Sequence, residues 1–166
     1  MTAAEPKQSR PQTSYLDQDA PAPLPWRWAQ ERLARARNYW LATTRGDGHP
    51  RARPVWGVWL DGALYFDSGS SVAILEREPR IELHLESGDE VVILSGIAEK
   101  VADETERQRF LEAFNPKYRW NWAPPAPPAL YVLRPAKALG WLSDPTGEDW
   151  GNIFGATATR WTFGDD

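Results

Sequence analysis

Cysteine is absent from the 166 residues, which removes disulfides, thiolate metal sites and cysteine nucleophiles. Histidine occurs only as His49 and His84, with no carboxylate spacing around either that makes a metal motif. Positive charge is not in excess: the formal net charge is −4, so the whole surface offers nucleic acid no attraction. No stretch is long and apolar enough to cross a bilayer, and residues 1–25 lack the uninterrupted apolar core of a signal peptide. Together these absences predict a soluble, cytoplasmic protein with no metal, no membrane and no nucleic-acid partner. Two residue types are abundant instead, with ten Trp and fifteen Pro. So many large aromatics suit a barrel with wide internal spaces or a sizeable subunit interface.

The length predicts one domain with a core of its own. Residues 1–25 are polar and rich in Pro and Ala, and read as a flexible arm; residues 26–166 form the domain. Trp26, Ala29, Leu33 and Ala36 recur at helical spacing, with Glu31 four residues before Arg35. Tyr39–Thr44, Arg53–Leu60 and Ala63–Phe66 read as three strands, joined by turns at Gly46–His49 and Asp61-Gly62. Val72–Glu78 is a short helix with Ser71 as its N-cap, stopped by Pro79. Ile81, Leu83 and Leu85 alternate with Glu82, His84 and Glu86 in a fourth strand, giving one dry and one wet face. The turn Ser87-Gly88-Asp89 leads into a fifth strand, Val91 to about Val101. Asp103 and Glu106 form a capping box before a third helix carrying Phe110 and Phe114 on one face. Residues 115–128 read as a loop ending in a stiff Pro-rich spacer. Leu130–Arg134, Ala138–Leu142 and Thr159–Phe163 complete the strands. The fold class is mainly β with peripheral helices, an antiparallel barrel.

Certain words in this pattern are specific. Gly48 to Trp56 reads Gly-x-Pro-x-x-Arg-Pro-Val-Trp, His84 to Asp89 reads His-Leu-Glu-Ser-Gly-Asp, and Ala158 to Phe163 closes the chain with Ala-Thr-Arg-Trp-Thr-Phe. With the element order, they resemble the pyridoxamine 5′-phosphate oxidase-like family over roughly residues 26–163. The resemblance implies a split β-barrel that binds flavin mononucleotide (FMN) or the related deazaflavin, coenzyme F420. It also implies a homodimer with two cofactor sites at the subunit interface.

A flavin ring needs a flat apolar slot with backbone groups aimed at its polar edge, and its phosphate needs cations and hydroxyl or amide donors. By the resemblance, the backbone at Pro54, Val55 and Trp56 faces the ring and Arg53 contacts the phosphate. Phe66, Asp67 and Ser68 occupy the strand end that supplies further phosphate contacts. Here the chain departs from the family, whose basic Ser-Arg-Lys-type clamp is replaced by Ser70-Ser71-Val72-Ala73-Ile74-Leu75, without a cation. Asp67 would repel phosphate if it stands in for a neutral donor. Ser68, Ser70 and Ser71, the free amides of a helix start, and Arg51, Arg77 or Arg80 are the available compensation. On the substrate side stand Trp120 and Trp122, in the aromatic-basic run Lys117–Trp122, together with Arg160 and Trp161. That run would serve as a lid over a substrate or pack on the other subunit.

Each residue also has an ordinary structural explanation. Val55, Trp56 and Trp161 suit barrel packing, Arg53 a solvated strand, and Glu82, Glu86 and Asp89 a wet face beside a turn. Seven arginines against two acids between Arg27 and Arg53 suit a charged outer helix face. Two functional readings follow. One is an oxidoreductase moving a hydride between a flavin-type ring and a small organic substrate, with no catalytic side chain. The other is a cofactor-less dimer that binds another ligand or partner; a haem-handling relative using His49 or His84 is a third.

Overall fold

The computed structural model describes residues 5–13, 16, 19, 24–148 and 150–164. Among these residues eight strands and four α-helices follow in the order β1 (Lys7–Ser9), α1 (Trp26–Arg35), β2 (Asn38–Thr44), β3 (Pro50–Leu60), β4 (Ala63–Asp67), α2 (Val72–Arg77), β5 (Arg80–His84), β6 (Glu90–Lys100), α3 (Glu104–Tyr118), β7 (Leu130–Leu142), α4 (Trp150–Thr157) and β8 (Thr159–Thr162). Every pairing is antiparallel. The order β7-β4-β3-β2-β5-β6 closes on itself through β6 and β7, giving a six-stranded barrel with β8 and β1 appended to β7.

Alternation along the strands sorts the side chains into two cores. Tyr39, Leu41, Val55, Phe66, Leu83, Leu94 and Leu133 fill the barrel, joined by Trp26, Ala29 and Leu33 of α1 and Leu75 of α2. The opposite face of β3, β4 and β7 is covered by α3, whose Phe110, Phe114 and Tyr118 pack on Val58, Tyr65 and Val132. Asp103 caps α3 by accepting from the Glu106 amide at 2.8 Å. The Glu106 carboxylate completes no reciprocal box, accepting instead from Tyr65 and Arg134.

Several elements differ from the sequence-based expectation. α3 runs through Pro116 to Tyr118, because the helical turns before it hold aromatic faces against the sheet. The expected last pair of strands is one long strand, β7, which changes neighbour from β4 to β8 midway while keeping β6 on its other side. Residues 124–128 turn rather than extend. In the arm, Lys7–Ser9 forms a strand on β8, and the Gln8 side chain donates to the Leu24 carbonyl; residues 1–4 and 20–23 of that arm lie outside the described residues. The α1 ion pair joins Arg27 to Glu31, not Glu31 to Arg35. Ser71 precedes α2, but its hydroxyl makes no capping bond.

Trp161 of β8 is completely buried, edge-on to Trp26 at 5.3 Å and stacked near Trp28 at 6.5 Å. It lies so close to β7 that a Cβ at Gly140 would fall 2.8 Å from its ring and 3.0 Å from Trp28. Gly140→Ala is therefore expected to destabilise the fold by about 1–3 kcal/mol through overpacking. In a Trp161→Phe background, where the ring is smaller, the same substitution is expected to cost less. Chemical denaturation of the four proteins in that cycle checks it.

Candidate functional site

The barrel is split along β3, an eleven-residue strand that changes neighbour partway. Its first part pairs with β2, from Pro50↔Thr44 to Trp56↔Asn38. Its last four residues pair with β4 instead, from Gly57↔Phe66 to Leu60↔Ala63. Leu60 and Ala63 close a two-residue turn with positive φ at Asp61 and Gly62, so they form a hydrogen-bonded pair. Counting back by twos, Val58 also faces β4, whereas Gly57, Val55, Arg53 and Arg51 direct their main chain toward β2. The N–H and C=O of Ala52, the Pro54 carbonyl and the Trp56 N–H then point to an edge that no strand covers, while the Trp56 carbonyl faces Asp67 at the end of β4. Gly57 sits at the crossover, where a Cβ would meet the Tyr65 carbonyl oxygen at 2.6 Å.

At the far end of this edge, Arg51 and Arg53 converge on one hydroxyl. Arg53 donates to Ser70 Oγ at 2.6 Å and Arg51 at 3.4 Å. Among the described residues neither guanidinium has an ion-pair partner. Burial first, and then the neighbouring Arg51 charge, hold Arg53 below the ordinary guanidinium range, while Asp67 pulls the other way. The Asp67 carboxylate accepts from the Gly69 amide at 3.2 Å, within its own turn. Arg77 and Arg80 are engaged elsewhere, donating to the Gly46 carbonyl and to Glu78.

The other residues singled out from the sequence divide by burial. Ser70 is exposed, whereas Ser68 and Ser71 are fully buried and their hydroxyls meet no partner. Val55 and Phe66 are interior, Phe66 stacked near Tyr131 at 6.2 Å. Pro54 is exposed, and so is Trp56, at 38%. Trp56 stacks on Tyr118 at 4.7 Å and meets Trp120 edge-on at 5.8 Å; Trp122 lies against Phe114 at 4.7 Å. Trp120, 50% exposed, and half-buried Trp122 therefore do stand beside the β3 edge. Trp161 does not, being core, and no hydrogen bond or ion pair joins Arg160 to these groups. His49 sits at an exposed turn beside Asp47, and His84 lies parallel to Trp40 on the outer sheet face. No group of His, Asp and Glu able to hold a metal occurs among the described residues.

Sequence reading missed the last turn of α3. Lys117 Nζ, half-buried, donates to the Gly57 carbonyl at 2.7 Å and to Tyr39 Oη at 3.2 Å, and lies over the Tyr39 and Tyr118 rings. Tyr118 Oη accepts from the Gly57 amide at 2.9 Å and lies 2.5 Å from the Arg37 carbonyl. The signal was Lys117-Tyr118 one helical turn after Phe114, hidden by reading 115–128 as loop.

Charge gathers here too. Segments 35–44, 50–60 and 115–128 contain Arg35, Arg37, Arg51, Arg53, Lys117 and Arg119 and no acid, in a chain of net charge −4. A groove of about 590 Å³ lies elsewhere, an open trough on the outer sheet face lined by Ala42, Glu82, Ser95 and Ile97. Charge and unpaired backbone, rather than volume, make the β3 edge the candidate site.

An antiparallel split barrel with two arginines beside an uncovered strand edge defines the class. Within that class the chain belongs to the pyridoxamine 5′-phosphate oxidase family, whose model matches residues 27–142. Solved structures with the same fold include a conserved hypothetical protein from Mycobacterium tuberculosis, at 19% identity and TM-score 0.61, covering 80% of this chain and 89% of that one. An F420 reductase shares 23% identity at TM-score 0.52, covering 66% and 94%. A heme binding protein from Mycobacterium smegmatis shares 22% at TM-score 0.55, covering 78% and 59%. No curated protein is a significant match. No helix among the described residues is long and apolar enough to cross a membrane.

Burial lowers the Lys117 ammonium to a pKa of about 8, against an ordinary value of 10.5. Between those values the unfolded chain binds more protons than the folded one, so this group's contribution makes stability rise with pH across that window. Above pH 10 the trend is opposed by Tyr39 and Tyr118, which burial pushes up. Urea unfolding at pH 7.5 and 9.5 is expected to show the rise, and Lys117→Met to flatten it.

Proposed function

We propose that this protein is a flavin-type oxidoreductase, with FMN or deazaflavin F420 bound along the β3 edge and a small organic substrate beside it. One observation carries the reading: two arginines without carboxylate partners meet an exposed serine hydroxyl at the end of an unpaired strand edge. That donor set fits a phosphate-bearing ring. Phosphate is a better acceptor for both guanidiniums than one hydroxyl, and the free edge supplies an amide and carbonyls for a ring's polar rim.

When bound, such a ring exchanges a hydride with the substrate. In this chain Arg51, Arg53 and Ser70 hold the phosphate. The Trp56 amide and the Pro54 and Ala52 carbonyls orient the ring, and Trp56, Trp120 and Trp122 exclude water from one side. Val55 and Phe66 support the strand ends from inside the barrel, and no side chain acts as acid or base. Ser68 and Ser71 contribute only if their loop opens. Membership of the family and the likeness to an F420 reductase support the class of reaction. The missing cysteines agree with a cytoplasmic setting.

A cofactor-less barrel is the second reading, favoured by the absence of any cation between residues 68 and 76. Titration with FMN and with oxidised and reduced F420 separates the two. One of them is expected to bind at about micromolar affinity or tighter, and Arg53→Gln to weaken it roughly ten- to a hundredfold, the loss of one charge-assisted bond. A folded protein that binds none would overturn the oxidoreductase reading.

The working unit is proposed to be a homodimer. The outer face of β2, β5 and β6 has no helix over it and carries Trp40, Ile93 and Ile97, the last 55% exposed. Sedimentation is expected to give a dimer, and Ile97→Asp a monomer of unchanged secondary structure. A wild-type monomer would sink the proposal.

A further inference from the structure

We infer that the last turn of α3 is the positioning device of the cleft, with Tyr118 as its central residue. β2 stops pairing at Asn38, so the Gly57 amide and carbonyl reach toward a neighbour that is no longer a strand. α3 takes that place. The Tyr118 hydroxyl accepts from the Gly57 amide and lies within reach of the Arg37 carbonyl, tying β3 to the segment that enters β2. Lys117 takes the Gly57 carbonyl from the same side. The Tyr118 ring supports Trp56, nearly parallel at 12°. One side chain thus fixes both the main chain next to the uncovered edge and the indole that stands on it.

The Trp120–Trp122 segment beside Trp56 hangs from the same turn. The Asn115 amide group donates to the Trp122 carbonyl at 3.0 Å and accepts from the Trp122 amide at 3.1 Å, while its own carbonyl receives the Trp120 amide at 2.9 Å. Arg119 ends the helix in the left-handed region at φ 53°, ψ 45°, turning the chain back toward Trp56. Further along, the buried Arg107 guanidinium holds the carbonyls of Val101, Pro125 and Pro127. Residues 119–127 are therefore a fixed wall rather than a lid, and the cleft is assembled before any ligand arrives. Preorganisation of this kind lowers the ordering cost of binding.

The test compares Tyr118→Phe, which keeps the ring and removes only the hydroxyl, with Glu106→Gln, which disturbs α3 at its other end. Asn115→Ala probes the Trp120–Trp122 segment. Amide exchange of residues 53–58 in the apoprotein is read by mass spectrometry, and FMN affinity by titration. Tyr118→Phe is expected to speed exchange there and weaken FMN about tenfold each, the loss of roughly one hydrogen bond. Glu106→Gln is expected to change neither beyond its effect on melting temperature. Asn115→Ala should leave residues 53–58 protected and raise acrylamide quenching of tryptophan emission. Equal changes in Tyr118→Phe and Glu106→Gln, once matched for stability, would show Tyr118 to be ordinary core and overturn the inference. The affinity arm rests on the proposed cofactor. If wild-type protein binds no FMN, that proposal fails while the exchange arm still decides this one.

Discussion

Backbone hydrogen bonding at β3 is the constraint from which the rest follows. A strand interior must satisfy amides and carbonyls on both edges, and buried ones left unpaired cost about 1–3 kcal/mol each. β3 meets this demand by exchanging β2 for β4 at Gly57. The exchange leaves two openings, one on each side of the strand. Tyr118 and Lys117 fill the first with side-chain groups. The second remains open to solvent, and its donors and acceptors give a planar polar ligand something to bind that a complete barrel would lack.

Electrostatics reinforces the same place. A protein of net charge −4 concentrates cations without acids in the three segments around the split. Some exposed charges elsewhere are neutralised in pairs, as Arg80 is by Glu78 and Arg109 by Asp61. Arg51 and Arg53 are not, and their closest polar contact is a neutral hydroxyl. Two like charges held together this way favour an anion between them. The Asp67 carboxylate, folded onto the Gly69 amide, softens that preference without cancelling it.

Much of the barrel was legible in sequence because alternation and turns are local signals. Asp61-Gly62 announced the β3–β4 hairpin, and Ile81, Leu83 and Leu85 gave the inward face of β5 and the residue after it. Elements set by distant partners were not legible. Lys7–Ser9 has no periodicity of its own and is a strand only because β8 offers an edge. Pro135 looked like a break in β7, yet β6 carries the strand across it with a bulge between Ser95 and Gly96. At the candidate site, Arg53, Pro54 and Trp56 were singled out by their motif, and Trp120 by its aromatic-basic run. The burial of Ser68, Ser71 and Phe66, and the work of Tyr118 and Lys117, depend on contacts between elements far apart in the chain. No local pattern encodes them.

β1 and β8 pair with each other outside the 27–142 span that the family model matches. Yet β8 delivers Trp161 into the barrel, where it is one of the largest fully buried side chains. A segment beyond the matched span is therefore a stopper for the barrel within it. β1 in turn covers the outer edge of β8, so the strand that carries this plug is held from both sides, by β7 and by β1.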